Sequence, residues 1–146
     1  MGLFNSIVQG ALGNLSEVTP QQLQNEFGMY LMEGETIALG FKLIRDVLIF
    51  TNERIITFDK QGTTGQKMRI ESINLVTVVD ATAETAGFGL DDSEITITYI
   101  KSPFLKSYSL QTENKKFEFP KRYDIQPLYK MLQELAHRNF NKINGF

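Results

Sequence analysis

The chain of 146 residues contains no cysteine. It therefore has no disulfide framework, no thiolate ligands for zinc or an iron–sulfur cluster, and no thiol nucleophile. No apolar run is longer than the four residues of 47–50, whereas a helix needs about 20 to span a bilayer. The N-terminus also lacks the basic segment and apolar stretch of an export signal. Together these absences predict a cytoplasmic protein.

The chain also lacks a large excess of charge of either sign. Fifteen Lys and Arg stand against 17 Asp and Glu, a formal net charge of −2. A slightly negative field repels a phosphate polyanion, so nucleic acid is not an expected partner. The composition is 42% hydrophobic and 11% aromatic, with apolar residues spread along the length. This content predicts a folded domain with one core rather than a disordered chain.

The first 33 residues have the spacing of helices. Apolar residues at helical spacing predict a first helix over residues 3–15, with the stripe Leu3, Phe4, Ile7, Val8, Ala11, Leu12 and Leu15. A second helix should begin after Thr19, because Pro20 suits the first helical position and Gln22 completes a capping box. Its predicted apolar face is Leu23, Phe27, Tyr30 and Leu31.

From Glu35 onward the apolar spacing changes to the alternation of strands. Strands are predicted at residues 35–42, 47–50, 55–58, 67–70, 76–79, 95–99, 108–110 and 117–119. The polar residues 51–54, among which Asn52 is able to take a left-handed conformation, predict a hairpin turn. Short strands without helices between them indicate antiparallel pairing, and hence a sandwich or barrel.

A last amphipathic helix should follow the strands. Asp124 is its predicted N-cap and Pro127 lies in its first turn. Its predicted apolar stripe is Ile125, Leu128, Met131, Leu132 and Leu135. The order is therefore an N-terminal helical segment, an antiparallel sheet, and one C-terminal helix.

This layout resembles the pleckstrin-homology superfold, a seven-stranded, partly open antiparallel barrel or sandwich capped by a C-terminal helix. Local motifs over about residues 35–136 are similar to those of bacterial pleckstrin-homology (PH) domains. These motifs are Phe50-Thr51-Asn52-Glu53-Arg54-Ile55-Ile56, Asp59-Lys60-Gln61-Gly62, Thr64-Gly65-Gln66-Lys67, Ser72-Ile73, and Glu84-Thr85-Ala86-Gly87 ahead of Asp91 and Glu94. The chain departs from the family pattern at Asn74-Leu75, where Pro-Tyr is usual, and over the longer segment 101–115.

The resemblance implies a PH-like domain over residues 34–140, with the helical segment 1–33 before it and a tail, 141–146, after it. It implies a tendency to form homo-oligomeric rings, and it implies no catalytic residues and no cofactor. We therefore expect a chain that is not an enzyme.

Few residues suggest chemistry. The single histidine, His137, is predicted to lie on the solvated side of the last helix, with no carboxylate beside it. Asp91, Asp92 and Glu94 lack the ligand spacing of a calcium loop, so no metal site is predicted. Residues 62–67 lack the Lys-Ser/Thr ending and the following helix of a phosphate-binding loop.

Two functions remain open. The first is a self-assembling interaction module whose partner is a second copy of the chain. Its predicted interface residues are Phe4, Ile7, Leu12, Phe27 and Tyr30. The second is a domain that binds an anionic lipid headgroup or small anion through Lys42, Arg45, Lys60 and Lys67. Membrane association is not expected of the N-terminal stripe, because no Lys or Arg precedes Lys42.

Overall fold

A computed structural model describes residues 18–43, 46–61, 67–87 and 92–146, with the backbone alone for residues 60 and 61. The first predicted helix, over residues 3–15, lies outside these ranges. The chain divides into two units, Met1–Ile73 and Asn74–Phe146.

The helix predicted after Thr19 is present as α1, Pro20–Phe27. Its capping box is confirmed. The Thr19 hydroxyl accepts a hydrogen bond from the Gln22 amide at 3.2 Å, and Gln22 Oε1 accepts one from the Thr19 amide at 2.9 Å. The helix ends before the predicted apolar face does, because the 3-10 turn Gly28–Tyr30 follows it. Its buried residues are Leu23 and Phe27.

Four strands of the first unit form one antiparallel sheet in chain order. They are β1 Ile37–Lys42, β2 Asp46–Thr51, β3 Arg54–Gln61 and β4 Lys67–Asn74. The predicted hairpin joins β2 to β3, with Phe50 opposite Ile55. Asn52 does not use the left-handed conformation open to it, since among the described residues only glycines have positive φ. Asn52 shapes the turn through its side chain, whose Oδ1 accepts a hydrogen bond from the Thr36 amide at 2.8 Å.

Helix α1 packs on one face of this sheet. The buried cluster consists of Leu23, Phe27, Ile49, Ile56 and Phe58. The rings of Phe27 and Phe58 lie with centroids 4.4 Å apart. Gly40 in β1 permits the close approach, because a Cβ at this position would overlap the Leu23 side chain. Residues 48–50 of β2 are buried on both faces of the strand, which accounts for the apolar run in the sequence.

The second unit begins with the 3-10 turn Leu75–Thr77 and continues as a three-stranded antiparallel sheet. Its strands, in chain order, are β5 Val78–Glu84, β6 Ser93–Ile100 and β7 Thr112–Phe119. The strand predicted at residues 76–79 begins only at Val78. The reason is that the Thr77 hydroxyl donates to the carbonyl of Asn74 at 2.7 Å and closes the turn.

The prediction of a strand at residues 108–110 is wrong. These residues belong to the β6–β7 loop, residues 101–111. The hydroxyl of Ser102 accepts a hydrogen bond from the Gln111 amide at 2.7 Å, and the Lys101 amide donates to the Gln111 carbonyl at 2.8 Å. These local bonds close the loop at its base and leave its apolar side chains facing solvent.

β7 begins five residues before the strand predicted at residues 117–119. The prediction missed its first half because that half is polar and shows no apolar alternation. This half is held by cross-strand pairing with β6. The Thr98 hydroxyl donates to Asn114 Oδ1 at 2.8 Å, and Lys116 Nζ lies 3.5 Å from Glu94 Oε2. The neighbouring strand therefore decides where β7 begins.

The predicted C-terminal helix is present as α2, Gln126–Asn144, and packs along β5. Asp124 is not its N-cap, since Ile125 holds that position. The Asp124 carboxylate nevertheless accepts a hydrogen bond from the Gln126 amide at 3.1 Å. The buried residues of α2 are Leu128, Met131, Leu132, Ala136 and Asn139. The helix extends through residues 141–144, part of the segment predicted as a tail.

The mainly β, antiparallel fold class is confirmed. The seven strands of the described ranges form two open sheets, one with edges at β1 and β4 and the other with edges at β5 and β7. No helix within these ranges is long and apolar enough to cross a bilayer.

Candidate interaction surfaces

The turn between β2 and β3 is the centre of a buried hydrogen-bond network. The Arg54 guanidinium binds the Glu35 carboxylate in a bidentate manner, with Nε to Oε2 at 2.9 Å and Nη2 to Oε1 at 3.0 Å. The Thr51 hydroxyl donates to Glu35 Oε2 at 2.6 Å. Arg54 also donates to the hydroxyl of Ser72 and to the carbonyl of Tyr30. The network therefore fixes the segment after α1 to the β2–β3 turn.

The charges of this network are compensated. The Glu35 side chain is fully buried, and burial by itself raises the pKa of this carboxyl. The hydrogen bonds from Arg54, Thr51 and the Met32 amide, together with the Arg54 charge, outweigh burial and hold the pKa below its usual range. Because every strong donor is engaged within the unit, we assign the network to folding rather than to ligand binding.

This network predicts a loss of stability in acid. A carboxylate whose pKa is lower in the folded state contributes stability above its unfolded pKa, and the contribution is lost as pH falls through the folded pKa. Glu35→Gln should therefore be less stable than the parent at neutral pH, with a difference that shrinks below about pH 4. Urea unfolding across this pH range measures it, with exposed Glu33→Gln as the charge-matched control. A difference independent of pH would contradict the prediction.

Of the four cations predicted to bind an anion, the structure describes the side chains of two, Lys42 and Lys67. Lys42 is exposed at the end of β1, and its Nζ lies 3.1 Å from Glu26 Oε2. Lys67 is exposed at the start of β4. Arg45 and the Lys60 side chain lie outside the described part of the chain. Anion binding by these four residues stays a prediction, and the carboxylate beside Lys42 weakens the attraction of Lys42 for an anion.

Two of the five predicted interface residues can be placed. Phe27 is buried against Phe58 within its own unit, so it offers little surface to another molecule. Tyr30 is partly exposed and its ring packs edge-on against Phe58, with centroids 5.3 Å apart. Phe4, Ile7 and Leu12 lie outside the described residues.

The segment after α1 carries an exposed apolar cluster, of which the sequence analysis singled out Tyr30 but neither methionine. Met29 is 78% exposed and Met32 is 52% exposed, on either side of Tyr30. Met29 and Tyr30 help to line a depression of about 440 Å³, whose other lining residues are Phe27, Leu43, Val47, Phe58 and Met68, with Glu26, Lys42 and Asp46. We call Met29, Tyr30 and Met32, together with this depression, the α1-end surface.

The second unit has a larger depression, of about 760 Å³, between the β6–β7 loop and the end of α2. Its apolar lining includes Leu105, Tyr108, Leu110, Phe140 and Ile143. The sequence analysis noted the unusual length of this segment, but it assigned Tyr108 and Leu110 to a strand. Alternation of Tyr108 and Leu110 with serines is the pattern of a strand, so nothing in the sequence indicated that these residues lie in an exposed loop.

Three of the chemistry-bearing side chains considered from sequence, those of Asp92, Glu94 and His137, lie in the described part of the chain. His137 is exposed on α2, as predicted, and its Nε2 lies 3.3 Å from Asn141 Nδ2. Within the described ranges no three His, Asp or Glu side chains come together as a metal ion would require. Asp91, one of the three carboxylates considered from sequence, lies outside these ranges.

Comparison with known proteins places the chain in a family. The family model for the bacterial PH domain matches residues 6–136, which includes most of the N-terminal helical segment. The uncharacterized protein YjqA of Bacillus subtilis (strain 168) is 37% identical over 120 residues, covering 82% of this chain and 91% of the relative.

Solved structures agree with this match. The crystal structure of a pleckstrin homology domain from Shewanella amazonensis SB2B is similar with a TM-score of 0.66 and 31% identity, covering 88% of this chain and 97% of that one. A duf1696 family protein with a pleckstrin-homology domain from Shewanella loihica PV-4 has a TM-score of 0.64 and 28% identity, with coverage of 83% and 96%. The sequence motifs, the antiparallel sheets and these matches lead to one conclusion: the chain belongs to the bacterial PH domain family.

Proposed function

We propose that the chain is a non-enzymatic interaction module that assembles with copies of itself into a closed ring. The observation that carries this proposal is the α1-end surface, where Met29, Tyr30 and Met32 expose apolar area next to a depression. An apolar side chain left in water favours association, because its burial contributes about 25 cal/mol per Å². The occupant we propose is the apolar stripe of residues 3–15 from a second copy.

The composition of the N-terminal stripe supports this choice of partner. Residues 1–17 contain one charged residue, Glu17, and no Lys or Arg. A segment of this kind lacks the cations that draw an amphipathic helix to an anionic membrane, so a protein surface is its better match. Methionine side chains adapt to irregular partners, which suits Met29 and Met32 to an interface.

The test is sedimentation equilibrium of the full chain at about tens of micromolar, where an interface of ordinary size, roughly 800 Å² per partner, is occupied. We expect a mass that is a multiple of the chain mass. The variant Met29→Ser/Met32→Ser should lower that mass. Phe104→Ser is the matched control, because Phe104 is 74% exposed and lies in the other unit. A monomeric parent chain, or equal loss of mass in the control, would refute the proposal.

The second hypothesis, an anionic headgroup or small anion at Lys42, Arg45, Lys60 and Lys67, receives less support. Lys42 has a carboxylate partner, and binding of several phosphates requires several uncompensated cations. Raised salt separates the two hypotheses, since it releases an ion-pair ligand and leaves an apolar assembly intact.

A further inference from the structure

The β6–β7 loop and the end of α2 form a second exposed apolar surface in the second unit. Phe104, Tyr108 and Leu110 are exposed in the loop, and Phe140 and Phe146 are exposed at the end of the helix. The two segments are neighbours, since Tyr108, Leu110 and Phe140 line the same depression. We call residues 101–111 and 137–146 together the basic–apolar surface.

The aromatic residues at the helix end are held in place by the local backbone. Gly145 has φ 73°, a left-handed conformation that ends α2 and turns the chain back. The Phe146 amide donates to the carbonyl of Asn141 at 2.8 Å. As a result the rings of Phe140 and Phe146 lie with centroids 6.4 Å apart, and Phe146 is 85% exposed. A formed pair of rings thus faces solvent beside the depression.

The charge of this surface is opposite to that of the rest of the chain. Residues 101–111 and 137–146 contain four Lys or Arg and no Asp or Glu, whereas the other 125 residues contain 11 Lys or Arg and 17 Asp or Glu. Lys106 and Lys142 line one smaller depression together with Leu105 and Ile143. Neither Lys106, Arg138 nor Lys142 forms an ion pair with a described residue. In the same surface Lys101 Nζ lies 3.9 Å from Glu113 Oε2, so the uncompensated charge is that of the other three cations. Two of these, Lys106 and Lys142, lie beside apolar side chains.

This combination selects between two kinds of partner. Protein interfaces are depleted of lysine at their centre, where it would be desolvated without a partner. The interface of an anionic bilayer accepts both features, because aromatic and aliphatic side chains enter the acyl boundary while lysines stay level with the headgroups.

We propose that the basic–apolar surface docks the protein on an anionic lipid bilayer, with Phe104, Tyr108 and the Phe140–Phe146 pair inserted and Lys106, Arg138 and Lys142 at the headgroups. None of these residues belongs to the cation set predicted from sequence. The proposal is independent of self-assembly, although copies in a ring would add their affinities through multivalency.

The experiment is co-sedimentation of the full chain with vesicles of phosphatidylcholine, with and without phosphatidylserine. We expect binding only with phosphatidylserine, and release at high salt. Lys106→Glu/Lys142→Glu should weaken binding by at least about tenfold. The matched control is Lys130→Glu, an exposed lysine on the same helix and outside the surface, which should bind nearly as the parent does. Circular dichroism checks that each variant is folded.

A second variant tests the apolar contribution. Phe104→Ser/Tyr108→Ser keeps every charge and should also lose vesicle binding, while the sedimentation mass of the chain stays unchanged. A parent chain that ignores phosphatidylserine, or binds neutral vesicles equally well, overturns the proposal. A change of sedimentation mass in place of vesicle binding also overturns it, because the surface would then join copies of the chain.

Discussion

Replacing Arg54 with methionine should lower the free energy of unfolding by about 3 to 5 kcal/mol, because it leaves the Glu35 carboxylate buried without its counter-ion. Methionine keeps most of the length of the side chain, so the loss reports charge and hydrogen bonds more than volume. The Tyr30 carbonyl and the Ser72 hydroxyl lose a donor at the same time. Urea denaturation at neutral pH measures the change.

The control for this prediction is Lys42→Met, which breaks the ion pair with Glu26. Both side chains of that pair are about half exposed, so its removal should cost no more than about 1 kcal/mol. The double variant Arg54→Met/Glu35→Leu removes both buried charges and should recover part of the stability lost in the single variant. If Arg54→Met cost no more than Lys42→Met, the buried pair would not be a major support of the first unit.

Leu132→Ala should cost about 2 to 5 kcal/mol, since it removes a fully buried side chain from the contact of α2 with β5 and leaves a cavity. This is a large share of the roughly 5 to 15 kcal/mol available to a domain of this size. The melting temperature should fall by several degrees for each kcal/mol lost. Thermal melts followed by circular dichroism measure the effect.

His137→Ala is the matched change on the opposite side of the same helix. His137 is exposed and its Nε2 lies 3.3 Å from Asn141 Nδ2, a weak contact, so the melting temperature should stay unchanged. Equal damage from the two alanine variants would mean that the rotational phase of α2 is wrong. The histidine would then need a buried or functional role.

The network around Arg54 also explains what the family motif contributes. In the motif Thr51-Asn52-Glu53-Arg54, three side chains bind the segment that follows α1. Thr51 and Arg54 bind Glu35, and Asn52 binds the backbone at Thr36. The residues that most strongly indicate the family are therefore structural. A proposal about function has to come from surfaces outside the motif.

The sequence by itself determined the elements whose signals are local. The capping box at Thr19 and the hairpin around residues 51–54 are present where the pattern predicted them. Of the predicted stripe of α2, Leu128, Met131 and Leu132 are buried, whereas Leu135 is only partly buried. Each of these elements depends on a few neighbouring side chains and on a periodicity of burial, both of which a linear pattern contains. The motifs also indicated the family, and the comparison confirmed it.

Tertiary structure decided the features whose partners are distant in the chain. The start of β7 depends on pairing with β6, and a polar strand shows no alternation to read. Asn139 lies on the buried face of α2 because its amide donates to the carbonyls of Leu75 and Val78, more than sixty residues away. The exposed rings of the β6–β7 loop and of the end of α2 meet only in three dimensions, since an apolar residue reads the same in sequence whether a neighbour covers it or water does.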